Sequence, residues 1–391
     1  MISFEEALSH LTQTARILGT ESVDFQQSLG RVLAQDIRSD MDMPPFDKSA
    51  MDGYACKSED LPNHLEIIEI IPAGYFPKKE IGKNQCAKIM TGAPVPLGAD
   101  TVIMVEHTEI LSDGKIRFTK EKSKPNISKR AEDVHFGDVV LAKGTRISAK
   151  HIPVFAGVGA TKIEVFKRPT VAVISTGDEL VEPNIQPNNS QIRNTNAYQL
   201  LAALAELNIE TNYIGIAKDT KQCTSDFILK ALQSADIILL SGAVSKGDYD
   251  FVPEVLKDFG IEIHFHGIQV KPGQHTIFGT SDKKWFFGVP GNPVSAFVQF
   301  EFLIKPLIFK IMGRNYDEKY LHLPLGEDFV RREASRKSFE PIIVNSEGYV
   351  HRIPYNGSAH INALSYADGF MVFEKGITQL SKNQLVDVRQ I

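Results

Sequence analysis

The segment Ile237-Ile-Leu-Leu-Ser-Gly-Ala-Val-Ser-Lys-Gly-Asp-Tyr-Asp250 places small residues and carboxylates where an apolar run gives way to a loop. Ser241, Gly242, Ser245 and Gly247 let backbone N–H groups approach a bound anion. Asp248 and Asp250 follow at once, and hard carboxylate oxygens beside a phosphate cradle suit Mg2+ better than zinc. Such a loop serves a phosphorylated ligand with a divalent cation, although an ordinary β–α turn carries the same residue types. Ser175, Thr176, Gly177, Asp178 and Glu179 repeat the pattern, with Asp178 alone reading as a turn cap. Lys271-Pro-Gly-Gln274 adds a cation for phosphate. In Gly288-Val-Pro-Gly-Asn-Pro-Val-Ser295, Pro290, Gly291 and Pro293 make a rigid turn before a long helix. Asn292 or Ser295 is expected to cap that helix, whose N-terminus could receive an anion. Each segment alone is as well read as a capping turn or a solvated lysine; four of them in one stretch point to a site.

The elements that must position these loops alternate. Thr170–Ser175 and Ile237–Leu240 read as strands buried on both faces, with further strands at Glu210–Ile216 and Glu262–Gln269. Helical spacing falls at Asn196–Leu207, Ser225–Ser234 and Phe251–Phe259, and a long apolar helix is predicted over Val294–Met312, bent at Pro306. Strand–helix alternation over residues 168–312 predicts a mostly parallel, three-layer α/β domain. Ligands bind such sheets at the carboxyl ends of the strands, the edge on which these loops fall. Upstream, Ser3-x-x-Glu6 is a capping box opening an amphipathic helix expected to end at Gly19. Residues 65–145 carry short strand patterns, including Leu65–Ile71 and Thr101–Glu106, broken by Gly and Pro. Glu340–Val344, Gly369–Phe373 and Leu385–Val388 predict a small β-barrel or sandwich tail.

Composition excludes several classes. At 391 residues the chain exceeds one ordinary core, and 42% hydrophobic with 23% charged residues is normal for a soluble protein. A net charge of −5 provides no basic field for nucleic acid. No apolar run reaches the roughly 20 residues of a membrane span, and Met1-Ile-Ser-Phe-Glu-Glu lacks the features of a signal peptide. Cys56, Cys86 and Cys223 form no CxxC pair, so a cytoplasmic, reduced protein is expected. Gly242-x4-Gly247 is followed by Asp, not the Lys-Ser/Thr of a Walker A loop, and Gly157-Val-Gly159 lacks a third glycine. His264 and His266 share one strand face without a third zinc ligand.

Six motifs together resemble one family. Ser49-Ala-Met-Asp-Gly-Tyr-Ala55, Met90-Thr-Gly-Ala-Pro-Val-Pro96, Ser175-Thr-Gly-Asp-Glu-Leu180, Ser241–Asp250, Lys271-Pro-Gly and Gly288–Ser295 are similar, in order, to those of molybdopterin molybdenumtransferases, the MoeA and gephyrin E-domain family. The resemblance implies an α/β multidomain chain. It comprises an elongated linker domain (1–45 plus 137–167), a β-rich module (46–136), a molybdopterin-binding domain (168–312) and a C-terminal small β-barrel (313–391). The helix near residues 3–18 is expected to pack on the α/β domain. The resemblance also implies a homodimer with a cleft shared between subunits, insertion of molybdate into adenylylated molybdopterin, and Mg2+-assisted release of AMP. Asp52, Thr91, Asp133, Glu179, Asp219, Asp250 and Lys271 match the family's catalytic positions, with Glu179 and Asp250 as metal ligands. Molybdopterin adenylyltransferase and apo molybdoenzymes are the partners it implies.

The chain departs from the family at several points. Gln274 replaces the second lysine of Lys-Pro-Gly-Lys, with His275 as a weak substitute, and Ala243 replaces a glycine. Ala131 replaces the glycine of Gly-Glu-Asp, and Arg193-Asn194 stands where Tyr-Asp or Tyr-Ser is frequent. Two other readings share the fold. One is an adenylyltransferase, which would not need the Met-Asp-Gly-Tyr-Ala module or the β tail. The other is a non-catalytic scaffold, which would not need the retained Asp52, Glu179, Asp250 and Lys271.

Overall fold

The computed structural model describes residues 1–242, 251–316, 319–354 and 357–391. The chain forms two compact units, one of residues 23–29 and 35–163, the other of residues 1–22, 30–34 and 164–391.

The first unit is built on a four-stranded sheet of β1 (Gly53–Cys56), β2 (Glu66–Ile71), β3 (Gln85–Ile89) and β4 (Thr101–Met104), in the order β2-β3-β1-β4. β1 is central and buried at every residue, with Tyr54 and Cys56 packing to one side and Ala55 to the other. The expected strand Thr101–Glu106 is shorter, since residues 105–107 turn into a 3-10 segment. Cys56 and Cys86 are register partners across β1 and β3. Burial pushes both thiols up to about 12, so they are protonated core residues. Ala131 holds a left-handed φ of 61°, with its N–H donating to the Pro44 carbonyl at 2.9 Å. A Cβ in this region costs about 1–2 kcal/mol, partly offset by the lower unfolded-state entropy of alanine. Ala131→Gly is therefore expected to stabilise this unit by about 0.5–1 kcal/mol, read as a rise in the urea midpoint at unchanged m-value; a fall would refute the strain argument.

In the second unit, α1 (Phe4–Thr14) opens with the expected capping box: the Glu6 N–H donates to Ser3 Oγ at 3.1 Å, and the Ser3 N–H to Glu6 Oε2 at 2.7 Å. The helix ends at Thr14 rather than Gly19. The Thr14 carbonyl accepts from the Trp285 indole N–H at 3.2 Å, and Arg16 reaches the Ser281 carbonyl, so the chain leaves the helix to cover Trp285.

Next come β5 (Val171–Thr176), β6 (Leu180–Val181), β7 (Ile192–Arg193), α2 (Asn196–Glu206), β8 (Thr211–Ala217), α3 (Lys221–Ser234) and β9 (Ile237–Ser241). After them follow α4 (Val252–Asp258), β10 (Glu262–His266), β11 (Val270–Lys271), β12 (Ile277–Thr280) and β13 (Trp285–Val289). The main sheet runs β8-β5-β9-β13-β12-β10, parallel through the first four strands and antiparallel in the last two. Val171, Val173, Ile237 and Leu239 face a core shared with α1 and α2; Ala172, Ile174, Ile238 and Leu240 face one shared with α3 and α4. Two covered faces give the three-layer arrangement expected from unbroken aliphatic runs.

The predicted long helix is three pieces: α5 (Pro293–Gln299), a π turn at residues 300–304, and α6 (Lys305–Ile311). Pro306 has no N–H to give and crowds the preceding turn, and the widened turn before it accommodates that loss. A second sheet follows, with β14 (Tyr320–Pro324), β15 (Lys337–Val344), β16 (Val350–Arg352), β17 (Gly369–Phe373) and β18 (Leu385–Gln390). Its order is β11-β15-β17-β18-β14, with β16 paired to β15. Lys271 thus lies on a strand of this C-terminal sheet, paired with Ser338.

Candidate functional site

The carboxyl ends of β5, β9 and β13 converge on a cavity of about 910 Å3. Of the candidate residues named from the sequence, Thr176, Gly177, Glu179, Ser241, Gly242, Pro290, Gly291 and Pro293 line it, together with Asp219. Gly242 has φ 95°, and a Cβ there would meet the Thr176 carbonyl oxygen at 2.6 Å, so the β9 turn closes onto the β5 end only as glycine. Gly177, at φ 147°, is covered by the Glu179 carboxylate, which lies 2.5 Å from where a Cβ would stand. Ser245, Gly247, Asp248 and Asp250, with Ala243, lie outside the described residues.

Ser175 does not line the cavity. Its hydroxyl donates to Asn194 Oδ1 at 3.1 Å, and it is buried beneath the turn that follows β5. Nor does Asn292 or Ser295 cap α5: the Asn292 amide donates to Ser358 Oγ at 2.9 Å, and the Val294 N–H to the Ser358 carbonyl. The first N–H of the helix is thus taken by the C-terminal segment rather than by a side-chain cap.

Two amides to which sequence reasoning gave no role hold the cavity together. The buried Asn196 donates to Ser241 Oγ at 2.7 Å and to the Gly291 carbonyl at 2.9 Å, tying the β9 end to the Pro290–Gly291 turn. Asn194 donates to Tyr213 Oη at 2.9 Å, and the Tyr213 hydroxyl donates to Glu182 at 2.7 Å. Burial, then Glu182, raise the Tyr213 phenol, which therefore stays protonated. Asn194 was legible only as a departure from the family motif, and Asn196 only as a polar residue at a helix start.

The acids share one corner. The Asp219 N–H donates to Asp178 Oδ1 at 3.4 Å. Burial first, then Glu179 and Asp178, raise the Asp219 carboxyl above its ordinary value. Among the described residues no three side chains are already arranged to hold a metal ion. Glu179 and Asp219 nonetheless offer hard oxygens whose mutual repulsion a divalent cation would relieve, which fits Mg2+.

Lys271 belongs to a neighbouring cavity of about 760 Å3, which shares His275, Pro290 and Asn292 with the first. Arg331, Arg332, Arg336 and Arg352 line it with Lys271, against Glu333 and Glu340. Arg331 is spent on Ser338 and on the carbonyls of Arg336, Glu374 and Ile377, and Arg352 stacks over Phe329. Gln274, in the place of a lysine, accepts from Arg336 Nη1 at 2.6 Å. The segment leading into β15 thus supplies a cation where the loop lacks one. The loop is held from behind: Thr276 and Gln299 both donate to the Gly273 carbonyl, at 3.0 and 3.3 Å. The charge run Arg331-Arg332-Glu-Ala-Ser-Arg336-Lys337 was the available sequence signal for this cavity.

In the first unit, Thr91 donates to Asp52 Oδ1 through both its N–H (2.6 Å) and its hydroxyl (2.8 Å). These bonds hold the Asp52 carboxyl below its ordinary value, so it is an exposed, ionised acceptor. Asp133 is exposed, with its N–H on the Met43 carbonyl, and makes no side-chain bond to Asp52 or Thr91. No helix among the described residues is long and apolar enough to cross a membrane.

Comparisons with known proteins cover the whole chain. Residues 2–159 match the MoeA N-terminal region (domain I and II), 172–310 the probable molybdopterin binding domain, and 323–391 the MoeA C-terminal region (domain IV). The molybdopterin molybdenumtransferase of Staphylococcus epidermidis is 33% identical across 99% of this chain and 95% of its own. That of Haemophilus influenzae is 33% identical across 99% and 98%. A crystal structure of the molybdopterin biosynthesis MoeA protein from Pyrococcus horikoshii superposes with a TM-score of 0.86 at 29% identity, covering 100% of both chains. With identity of this order along its full length, and with the glycine turns and acids of its larger cavity where the motifs require them, the chain belongs to the molybdopterin molybdenumtransferase family of molybdenum cofactor biosynthesis enzymes.

Proposed function

We propose that this chain inserts molybdate into adenylylated molybdopterin with release of AMP, forming molybdenum cofactor. The observation that carries the reading is the pair of cavities sharing His275, Pro290 and Asn292, one lined by acids, amides and glycine turns and the other by arginines. In the reading, the larger cavity takes the adenylylated molybdopterin and the cationic one takes molybdate, so the oxyanion lies beside the dithiolene sulfurs.

The chain's own groups then have separate tasks. Thr176, Gly177, Ser241 and Gly242 form the floor against which the ligand's phosphates rest. Lys271, Arg332 and Arg336 hold the oxyanion, since neither Lys271 nor Arg332 is paired to an acid among the described residues. Exchange of molybdate oxygens for sulfur needs protons at the departing oxygens, and His275, between the two cavities, is placed to give one. Glu179 and Asp219, with Asp250, would hold Mg2+, which when bound neutralises charge on the phosphoanhydride. Asp52, Thr91 and Asp133 are assigned to a cleft shared between subunits of a homodimer, and a cytoplasmic location, with adenylyltransferase and apo molybdoenzymes as partners, belongs to the same proposal.

The test mixes purified protein with adenylylated molybdopterin, micromolar molybdate and Mg2+, and measures AMP release and reconstitution of an apo molybdoenzyme. Absence of molybdate-dependent AMP release refutes the transferase; AMP incorporation from ATP into molybdopterin would favour an adenylyltransferase. Within this reading, Gln274→Ala frees Arg336 and is expected to raise the KM for molybdate about tenfold, the loss of one hydrogen bond to a charged group. An unchanged KM would remove Gln274 from the site.

A further inference from the structure

We propose that Arg193 grips a phosphate of the adenylylated ligand. The inference rests on the reading of the larger cavity as the adenylylated-molybdopterin pocket. Among the described lining residues of that cavity, Arg193 is the only lysine or arginine, and Glu179 and Asp219 carry the opposite charge. A phosphate entering there meets two carboxylates, so a cation in the same wall decides whether the field favours or opposes it.

Arg193 is exposed and uncommitted. Its Nη2 donates to Gln186 Oε1 at 3.2 Å, and no carboxylate pairs with it among the described residues. A guanidinium has five donors, so most remain for a ligand, in the fork geometry that suits phosphate. Its position is set from both sides. The Ile192 N–H donates to the Glu179 carbonyl at 2.8 Å and the Asn194 N–H to the Val181 carbonyl at 2.8 Å, so β7 is laced to the strand that follows the acids. The preceding turn is braced by Asn188, whose Oδ1 accepts from the Ser190 N–H and hydroxyl at 3.0 Å. The cation is therefore presented by the backbone that also presents Glu179.

Calorimetric titration of the full chain with AMP, in Mg2+ at low ionic strength, tests this on wild type, Arg193→Ala, Arg193→Lys and Gln186→Ala. Arg193→Ala should weaken AMP about tenfold and flatten the salt dependence of binding, with Arg193→Lys between. Gln186→Ala should stay within about twofold, because it removes a brace and not the charge. AMP affinity of Arg193→Ala within twofold of wild type, or no AMP binding by wild type, overturns the proposal. If the Arg193 effect appears while wild type releases no AMP with molybdate, the transferase reading falls and the phosphate role of Arg193 stands.

Discussion

Glu179→Gln is expected to lower molybdate-dependent AMP release by about 100-fold while leaving the protein folded, the loss typical for one preorganised electrostatic group. The geometry sets both halves of that expectation. The Glu179 carboxylate is curled over Gly177 at the edge of the larger cavity, beside Asp219. It repels Asp219, whose carboxyl burial has already raised. An acid raised in the folded state contributes stability below its unfolded value and loses it as pH rises through the folded value, so at neutral pH this corner costs stability. Neutralising Glu179 removes part of that cost, and the thermal midpoint should hold or rise. Two further signs distinguish function from damage. Mg2+ should raise the midpoint of wild type, by ligand linkage, and no longer raise that of Glu179→Gln. The Asp219 carboxyl itself should titrate at lower pH in the variant, because one of the charges raising it is gone. A variant that keeps wild-type rate would take Glu179 out of the mechanism.

Glu301→Ala is expected to produce the largest loss of stability, about 3–5 kcal/mol, because it strands buried charge. Arg389 on β18 is 2% exposed and Glu301, in the π turn, 4%. Arg389 Nη2 donates to Glu301 Oε2 at 3.1 Å and to the Glu301 carbonyl, while its guanidinium lies over Phe302, 4.3 Å from the ring centroid. Lys305 donates to both Glu301 oxygens, at 3.0 and 2.9 Å. Removing the acid leaves two cations facing each other in the seam between the C-terminal sheet and the helix before it. For a unit of this size the midpoint should fall on the order of 10 °C, whereas Glu301→Gln, which keeps hydrogen-bond acceptors, should cost less than half as much. A loss below about 1 kcal/mol for the alanine variant would mean that water reaches the site and screens it.

The parallel sheet and its loops were legible because burial on both faces leaves an unbroken aliphatic run, and because glycine and proline punctuate where the chain must turn. The capping box at Ser3–Glu6 was legible for a similar reason, since both of its bonds are local. The same local reading carried α1 on to Gly19, and there it failed. What stops the helix at Thr14 is Trp285, 271 residues away. The smooth bend expected at Pro306 became a π turn, because the lost N–H is absorbed by the turn before the proline.

The site divides along the same line. The sequence by itself determined which loops carry small residues and acids, and that the loop with Glu179 and the Ser241–Gly242 turn share one sheet edge, because strand direction places loop ends. Only the tertiary structure decided that Ser175 turns away to Asn194, and that Ser358 takes the first N–H of α5. It alone decided that Lys271 opens into a second cavity whose charge comes from Arg332 and Arg336, about 60 residues downstream in the segment that leads into β15. The physical reason is common to all three. Propensity and spacing describe neighbours along the chain, while the partners of a buried hydroxyl, a helix N-terminus and a cationic groove are chosen by which distant segments pack against them.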